Sequence, residues 1–406
     1  MHFQPDLFQR DLPKIVPIFI GIIGQETWRR RIGELENTQA ASPIFEKYVA
    51  EVHALELELA QLLKRKKVTG RFPKRSEVLE LNRLLALIRM VVGVYTRLGE
   101  AGKRRVQGML IDALKSDRGF NSLEHEMGIA AQLMRKGFDV EFVDIENSER
   151  FDFLARLRET EVEVECKTIS YDLGRKVHRR DFNRLANKLW PSVKQFLQGA
   201  EHSHLITLTV DDRLDASDDF FGALLSCVKT ALISGECHSH KLGVEVQVDT
   251  YEPSTLEPAI ESHRNDLEDL LETHQFHLFL CGNSTSVVAF VVRSKRPDQV
   301  LSYMYRQFKN AADQFTGSRP AILCVHIQDI EPHQWIELQK ESGLQLMTHR
   351  YLDNPKRSHI HTVAYNSKGV LQKQTGYTSM IGPVFFVTNM NHPKSGDQNL
   401  RIFAVT

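Results

Sequence analysis

The chain has 406 residues, of which 42% are hydrophobic and 26% are charged, and its formal net charge is zero. This length predicts two or three globular domains, and this composition excludes a disordered or fibrous protein. A net charge of zero means that any attraction to an anionic partner has to come from local patches. The five cysteines are scattered and odd in number, which argues against a disulfide framework and for a reducing, cytoplasmic compartment.

The most hydrophobic stretch, "IVPIFIGIIG" at residues 15–24, is too short to cross a bilayer and contains Pro17. It also lacks the basic start and the cleavage site of a signal peptide. We therefore expect a buried segment here and no membrane partner.

Two heptad-like patterns predict that residues 1–102 are helical. Apolar residues recur at spacings of three and four from Phe45 to Leu62 and again from Val78 to Tyr95. The basic segment between them, "KRKKVTGRFPKR", contains a glycine and a proline that break a helix. The pattern predicts an antiparallel, coiled-coil-like hairpin over about 43–97. The apolar seam of the hairpin packs either within the chain or against a second subunit. Its basic tip is either solvated or binds the phosphates of a nucleic acid.

From about residue 103 to residue 212 the pattern is mixed α/β, with the order helix, three strands, helix, strand. Asn121 and Glu124 indicate a capping box at the start of the first helix, and Gly137 ends that helix. We predict strands at 138–145, 150–157 and 161–169, a helix at 179–197 and a strand at 204–210. Residues 213–406 remain α/β, as a separate domain or an extension of the same sheet, with helices predicted at 218–233, 256–273, 297–314 and 332–342.

The stretch "EVEVECK", which starts at Glu161, combines strand alternation with charge. Alternation places Glu161, Glu163, Glu165 and Lys167 on one face, and four charges in a row are unsuited to a core. That face is therefore either solvent or a site. A hairpin from Asp152 to Glu165 brings these two carboxylates side by side. Mg²⁺ prefers such oxygen ligands, and Lys167 on the same face could orient or help to deprotonate a water molecule.

These residues resemble the PD-(D/E)XK phosphodiesterase superfamily, which includes restriction enzymes, Holliday-junction resolvases and repair exonucleases. The resemblance rests on Asp152 and on Glu165-Cys166-Lys167 within the order helix–strand–strand–strand–helix–strand, and it covers about a quarter of the chain. Glu126 adds to it, because members often carry a glutamate on the helix before the first strand. The proline of the family's first half-motif is absent, since Arg150-Phe151 precede Asp152.

The resemblance implies an α/β fold in which residues 103–212 form a restriction-endonuclease-like core, a mixed central sheet flanked by helices. The implied catalytic residues are Lys167, Glu126, Asp152 and Glu165, and the implied ligands of Mg²⁺, for which Mn²⁺ would substitute, are Asp152, Glu165 and the backbone carbonyl of Cys166. Glu163 on the same face is the alternative to Glu165 or Glu126, whereas Glu124 looks like a helix cap. The implied function is metal-dependent hydrolysis of nucleic acid by a DNA endonuclease, in defence against foreign DNA or in DNA processing.

A basic stretch follows Lys167 and is expected to hold nucleic acid, with DNA as the expected partner, through its phosphates. Its residues are Arg175, Lys176, Arg179, Arg180, Arg184 and Lys188. For each residue alone, a solvated amphipathic helix is the simpler interpretation.

Three alternatives stay open. A degenerate nuclease fold would bind nucleic acid without cutting it, and an assembly protein would use the helical hairpin, in a homodimer or with a partner subunit, while its α/β region serves as a scaffold. The segment "RQFKNAADQF" before "RPAILCVHI" also resembles a late helix–strand pair of the superfamily. If that pair joins the nuclease sheet, residues 170–295 are a long insertion. Neither "CHSH" at 237–240 nor "HIH" at 359–361 has the second ligand couple of a zinc site.

Overall fold

A computed structural model describes residues 12–41, 43–73, 82–146, 148–198, 202–251, 275–282, 286–330, 332–340, 343–367 and 385–400, and the single positions Leu267, Leu271, Thr273 and Ile402. Its helices are α1 (Leu12–Ile23), α2 (Gln25–Ala41), α3 (Pro43–Val52), α4 (Ala54–Thr69), α5 (Asn82–Tyr95), α6 (Glu100–Lys115), α7 (Asn121–Arg135), α8 (Arg179–Gln198), α9 (Asp218–Ser234), α10 (Val300–Ala312), α11 (Pro332–Lys340) and α12 (Gly343–Leu352). Its strands are β1 (Asp139–Phe142), β2 (Phe153–Leu157), β3 (Thr160–Ser170), β4 (Ser203–Val210), β5 (Glu236–Ser239), β6 (Val244–Tyr251), β7 (Phe276–Gly282), β8 (Val287–Ser294), β9 (Ala321–Gln328), β10 (Ile360–Ser367) and β11 (Phe385–Thr388). The α/β class expected from the sequence is confirmed.

The first sheet has six strands in the order β1-β2-β3-β9-β10-β11. The first three strands form an antiparallel meander, β3, β9 and β10 run parallel to one another, and β11 is antiparallel to β10. The strands β9 and β10 are buried along their whole length, as is usual for parallel strands covered on both faces. Helix α7 packs against β1, β3 and β9.

The second sheet has five strands in the order β5-β6-β4-β8-β7, of which only the central pair, β4 and β8, is parallel. Alternate residues of these strands face two separate hydrophobic clusters. On one face, Ile206, Leu208 and Phe290 pack with the buried sides of α8 and α9. On the other face, Leu205 and Val291 pack in a smaller cluster. This sheet therefore has a core of its own.

Contacts divide the chain into two compact units, residues 1–38, 49–171 and 301–406 in the first and residues 39–48 and 172–300 in the second. This division differs from the boundaries predicted at 103, 212 and 213. The strand β4, expected in the 103–212 core, belongs to the second sheet, and β9 takes the place beside β3 in the first. A fully buried strand such as β9 needs a neighbour on each side, and β3 and β10 supply them. The second unit is thus an insertion along the chain, which is the alternative that the sequence left open.

The two chain segments at the ends of this insertion run side by side. The Gln299 N–H donates to the carbonyl oxygen of Gly174 at 2.7 Å, and a Cβ atom added to Gly174 would lie 2.3 Å from the Cα atom of Val300. That separation is far below a normal carbon–carbon contact, so only glycine fits at position 174 without a shift of the backbone.

We expect Gly174→Ala to lower the free energy of unfolding of the second unit by about 1–3 kcal/mol. The new methyl group would clash with backbone atoms of Val300, and backbone atoms cannot move aside as the end of a flexible side chain can. Urea denaturation followed by circular dichroism measures the change. Gly222→Ala is the matched control, since an added Cβ at this position of α9 meets nothing within 4 Å and alanine favours the helix. Equal stabilities of the two variants would contradict the expected steric effect.

The predicted helical hairpin differs from the expectation in two ways: its first arm is broken into two helices, and its second arm packs against several other helices. Its first arm consists of two helices, α3 and α4, which are separated at His53, and its second arm, α5, packs against α1, α4, α6 and α7. The seam residues Leu85, Ile88 and Val92 are buried. The apolar seam of α5 is therefore covered within the chain. The hydrophobic helix α1, which was not part of the predicted hairpin, provides an apolar surface against which α5 packs.

The hydrophobic segment near the N-terminus forms α1 and is buried along one side, with Val16, Phe19 and Ile23 inaccessible to solvent. The prediction of a buried segment is confirmed. Within the described ranges, every helix is too short or too polar to cross a bilayer. The predicted elements at residues 74–81 and most of the helix predicted at 256–273 lie outside the described residues.

Two of the five cysteines are paired. Cys227 on α9 and Cys237 on β5 form a disulfide, with their Cα atoms 5.8 Å apart. The expectation that the cysteines stay unpaired is wrong for these two, because the turn after α9 brings β5 back beside the helix. The other cysteines, Cys166, Cys281 and Cys324, are free thiols.

Candidate active site

The carboxylates expected to form a site come together where β2 begins and β3 passes its midpoint. Asp152 directly precedes β2, and the antiparallel register pairs Phe153 with Val164, so that Asp152 lies beside Glu165 and Cys166. The backbone N–H of Cys166 donates to Oδ2 of Asp152 at 2.6 Å. The predicted hairpin from Asp152 to Glu165 is therefore confirmed.

A third and a fourth carboxylate join from neighbouring elements. Glu126 lies in the second turn of α7, and Asp144 lies in the turn after β1. One oxygen atom from each of Glu126, Asp144 and Asp152 lies within 4.8 Å of the other two. Among the described residues, these three are the group of acidic, histidine or cysteine side chains close enough to share a metal ion.

Burial and mutual repulsion make this cluster costly to ionise. Burial, followed by repulsion from Asp144 and Glu165, raises the pKa of Glu126 to about 8. Burial, followed by repulsion from Glu165 and Glu126, raises the pKa of Asp152 well above its usual range, although the bond from the Cys166 N–H opposes the shift. Burial also raises the pKa of Asp144. Like charges in a partly desolvated site produce shifts of this kind, which are common at functional sites.

Glu165 and Lys167 form an ion pair at the edge of the cluster. The carboxylate of Glu165 is 1% exposed and the side chain of Lys167 is 29% exposed. Burial raises the pKa of Glu165 to about 7 against the lowering effect of the Lys167 ammonium group. Lys167 lies two residues after Glu165 on the same face of β3, as the alternation of the strand predicts.

The expected set of metal ligands differs from the set that the structure brings together. The expected set was Asp152, Glu165 and the carbonyl of Cys166, whereas the close group contains Glu126 and Asp144 with Asp152. One oxygen atom of Glu165 pairs with Lys167, and metal binding by Glu165 stays a prediction. Cys166 contacts Asp152 through its N–H group, and burial raises the pKa of its thiol, which lies beside Cys324.

The donor set fits a hard divalent cation such as Mg²⁺ or Mn²⁺. All its atoms are carboxylate oxygens, the ligand type that these ions prefer. One oxygen atom of Glu126 and one of Glu165 are buried and have no hydrogen-bond partner in the structure. A buried carboxylate oxygen without a partner is costly, and a bound cation removes that cost. Glu126, Asp144 and Asp152 would hold the ion, with Glu165 next to them.

Glu163, the alternative to Glu165, has a structural role. Its side chain is fully buried and accepts hydrogen bonds from the Thr316 N–H at 2.9 Å, from the Thr316 hydroxyl group and from Arg319 Nη1 at 3.3 Å. Glu163 and Glu165 are both buried, so the middle of the charged face of β3 is closed to solvent, whereas Glu161 near its start is half exposed. Arg319 also pairs with Glu161, at 2.8 Å, which explains how a sheet interior accommodates this row of charges.

We expect Glu163→Ala to lower the free energy of unfolding by about 1–3 kcal/mol, because it removes a fully buried side chain and leaves the Thr316 N–H and hydroxyl group and the partly buried Arg319 without this acceptor. Urea denaturation of the metal-free protein measures the change. Glu161→Ala is the control on the same strand: Glu161 is half exposed and also bonds Arg319, so its loss should matter much less. A Glu163→Ala variant as stable as Glu161→Ala would contradict the structural role of Glu163.

The start of α7 is built differently from the predicted capping box. The side-chain amide of Asn121 donates to the carbonyl oxygens of Val52 and Arg118, at 2.9 and 2.7 Å. Both carboxylate oxygens of Glu124 accept from Arg83, at 2.6 and 2.5 Å. Glu124 is thus not a helix cap. It ties α7 to α5, and this bidentate pair fixes the helix that carries Glu126.

Asp144 is the member of the acidic cluster that the sequence interpretation missed. It sits in a turn, where neither strand alternation nor helical spacing assigns a direction to a side chain. The signal that could have found it is its position directly after a short buried strand whose antiparallel partner begins just after Asp152. The side chain of Arg105 on α6 donates to its backbone carbonyl and lowers the pKa of Asp144 in opposition to burial.

The basic stretch expected to bind nucleic acid lies in the second unit, where most of its members have acidic partners. Arg175 is buried and pairs with Asp298 at 3.1 Å, which makes it a structural residue. The ion pairs of the next members are Lys176 with Asp212, Lys188 with Asp218 at 2.6 Å and Arg184 with Asp218 at 3.7 Å. Arg179 stacks on the ring of Tyr48, and Arg180 is exposed. Phosphate binding by Lys176, Arg179, Arg180, Arg184 and Lys188 stays a prediction.

No protein-family model, no curated protein and no solved structure matches the chain. The resemblance to the PD-(D/E)XK superfamily therefore rests on the residues and the element order of this chain alone.

Proposed function

We propose that this chain is a metal-dependent nuclease that hydrolyses phosphodiester bonds, with DNA as its substrate and Mg²⁺ or Mn²⁺ as its cofactor. The observation that carries the proposal is the meeting of Glu126, Asp144 and Asp152 within 4.8 Å of one another, beside the ion pair of Glu165 with Lys167. Several carboxylates next to one lysine, in a site that penalises ionised carboxylates, are suited to bind a cation and to act on a phosphate.

The element order of the first sheet supports a restriction-endonuclease-like core. The helix α7 precedes the meander β1-β2-β3, and a later helix, α10, precedes β9, which runs parallel to β3. The resemblance is based on the helix predicted at 179–197 and the strand predicted at 204–210, which lie in the second unit. In the proposed core, α10 and β9 take their places, with the insertion between β3 and α10. By the same resemblance, we infer a role in defence against foreign DNA or in DNA processing.

The residues of the site take distinct roles in this proposal. Glu126, Asp144 and Asp152 would hold the cation, which would stabilise the charge that develops on the phosphate. The Lys167 ammonium group would orient the attacking water molecule, and Glu165 would hold Lys167 in position. The Cys166 N–H would keep the Asp152 carboxylate in one rotamer. Arg83 and Glu124 would fix α7 and, through it, Glu126.

We also propose a cytoplasmic location. Three of the five cysteines are free thiols, two of them on the paired strands β3 and β9. They outnumber the two cysteines of the Cys227–Cys237 disulfide, and free thiols are usual where the compartment is reducing.

The test of the proposed function is an assay of plasmid, single-stranded DNA and RNA with Mg²⁺, with Mn²⁺ and with EDTA. We expect cleavage of DNA with either metal ion and none with EDTA. Asp152→Asn keeps the size of the side chain and an acceptor for the Cys166 N–H, so it should fold and lose cleavage. Glu161→Gln, which changes a carboxylate of β3 outside the acidic cluster, should keep it. Cleavage that survives Asp152→Asn would show that the cutting site lies elsewhere.

A further inference from the structure

A cleft of about 510 Å³ lies between α1, α2 and α4, and none of its lining residues belongs to the acidic cluster. Its floor is apolar: Val16, Ile20, Trp28 and Ile32 line it and are between 0 and 8% exposed. A cleft of this volume with mostly apolar walls is in the usual range for small-molecule sites. We call it the α1–α2–α4 cleft.

The rim of the α1–α2–α4 cleft is cationic. The charged residues that line it are four basic side chains, Arg29, Lys64, Lys66 and Lys67, and one carboxylate, Glu36. Lys64 pairs with Glu36 at 2.5 Å, so this carboxylate is already balanced. The Lys66 ammonium group lies 4.7 Å above the ring of Phe72, and Lys66 and Lys67 form no ion pair with any described residue.

We propose that the α1–α2–α4 cleft binds a free amphiphilic anion, an apolar chain or ring body that carries a carboxylate or phosphate group. The buried aromatic and aliphatic floor would take the apolar body, because burying apolar surface is favourable and the floor offers few hydrogen-bonding groups to a polar one. The ammonium groups of Lys66 and Lys67 would take the head group, because no acidic residue in the described part of the chain pairs with them. This inference does not depend on the proposed nuclease function.

Gly33 offers a way to fill the cleft without disturbing the core. It lines the cleft from α2, and an added Cβ meets nothing within 4 Å. A leucine at this position would extend into the cleft, and leucine also favours a helix over glycine. Gly33→Leu should therefore fold at least as well as the natural chain and leave less space for the apolar body of a ligand. Gly21→Leu on α1 is the matched control, since Gly21 is equally unobstructed but does not line the cleft.

The test is isothermal titration calorimetry of the full chain with decanoate, decanol and decyltrimethylammonium, which share one chain length and differ in charge. We expect decanoate to bind one molecule per chain, about tenfold or more tightly than the other two. Gly33→Leu should remove this binding and Gly21→Leu should keep it. Equal binding of the cation and the anion, or decanoate binding unchanged in Gly33→Leu, would overturn the proposal.

The rim has a test of its own. The double change Lys66→Glu with Lys67→Glu should weaken decanoate binding about tenfold or more and should reduce its dependence on salt. Decyl phosphate should bind as decanoate does, since the site recognises an anion on an apolar chain. Vesicles that contain an anionic phospholipid form the last arm: binding to vesicles without binding to free decanoate would overturn the assignment to a free ligand.

Discussion

Replacing Lys167 by alanine is expected to lower metal-dependent cleavage of DNA by about 10³-fold, while the fold and the metal affinity change little. The ammonium group is the positive side chain beside the cluster on β3, and it is 29% exposed, so its removal leaves no large cavity. A group that positions water and stabilises developing charge typically contributes 10²–10⁴ to the rate. The measurement is the single-turnover cleavage rate of a labelled DNA at saturating Mg²⁺.

Lys167→Arg separates charge from geometry in the same experiment. Arginine keeps the positive charge and can pair with Glu165, but its planar group cannot replace an ammonium group at one fixed point. We expect an intermediate rate, with metal affinity close to that of the natural chain in both variants. Metal affinity is measured by Mn²⁺ titration. A rate unchanged in Lys167→Ala would remove Lys167 from the mechanism, and a lost Mn²⁺ affinity would show that it acts on the fold of the site.

Glu126→Gln is expected to make the metal-free protein more stable at high pH and to weaken its response to metal. The pKa of Glu126 is raised from 4.5 to about 8 in the folded protein, so the folded state holds this proton more tightly than the unfolded state. Its contribution to stability is therefore full below pH 4.5 and is lost as the pH rises through 8. One pKa unit corresponds to about 1.4 kcal/mol, so a rise from 4.5 to about 8 corresponds to about 5 kcal/mol. We expect Glu126→Gln to recover about half of this at pH 9, because the buried amide also lacks a hydrogen-bond partner.

The measurement is the free energy of unfolding in urea at pH 5, 7 and 9 with EDTA, and again with Mg²⁺. The natural chain should gain more from Mg²⁺ at pH 9 than at pH 5, because the ion binds the ionised carboxylates and replaces their protons. Glu126→Gln should show a smaller gain. Glu161→Gln is the control, since this carboxylate is outside the cluster and its pKa is lowered by Arg156 and Arg319. A difference between Glu126→Gln and the natural chain that is the same at all three pH values would contradict the raised pKa.

The changes in the free energy of unfolding expected for Glu126→Gln and Glu163→Ala have opposite signs, and this distinguishes a candidate functional residue from a structural one. Both carboxylates lie in the first unit and both are largely buried, but Glu163 has three hydrogen bonds and Glu126 has an oxygen atom without one. A buried carboxylate that costs stability and has an oxygen atom without a partner is what the proposed cation site requires of Glu126, because function commonly opposes stability at such positions.

Local features of the site could be predicted from the sequence. Asp152 and Glu165 meet because β2 and β3 are joined by a tight turn at Arg158, which adopts a left-handed backbone with φ of 54°. Two short strands and one turn fix that register without help from the rest of the chain. Glu126 could be placed for a similar reason, since the helix that carries it directly precedes β1.

Features that depend on distant parts of the chain could not be predicted. The sequence near Glu163 does not indicate that Arg319 is its partner, because the two residues meet only when β9 pairs with β3. The domain boundary predicted at residue 212 differs from the observed division for the same reason. The sequence of β4 is compatible with a place beside β3, and only the competition between β4 and β9 for that edge decides the topology. Short elements with weak patterns, such as β5 and α12, were also missed.

The pairing of β3 with β9 also sets the order in which the molecule can assemble during synthesis. About 150 residues separate the end of β3 from the start of β9, and a ribosome adds roughly 5–20 residues per second. For about 8–30 seconds, therefore, the nascent meander presents an unpaired β3 edge, an arrangement prone to wrong partners. The insertion has its own sheet and core, so we expect it to fold while the first sheet is still incomplete. The second unit would then be folded before the first sheet is complete, and the edge of β3 would be the surface open to wrong pairing during that time.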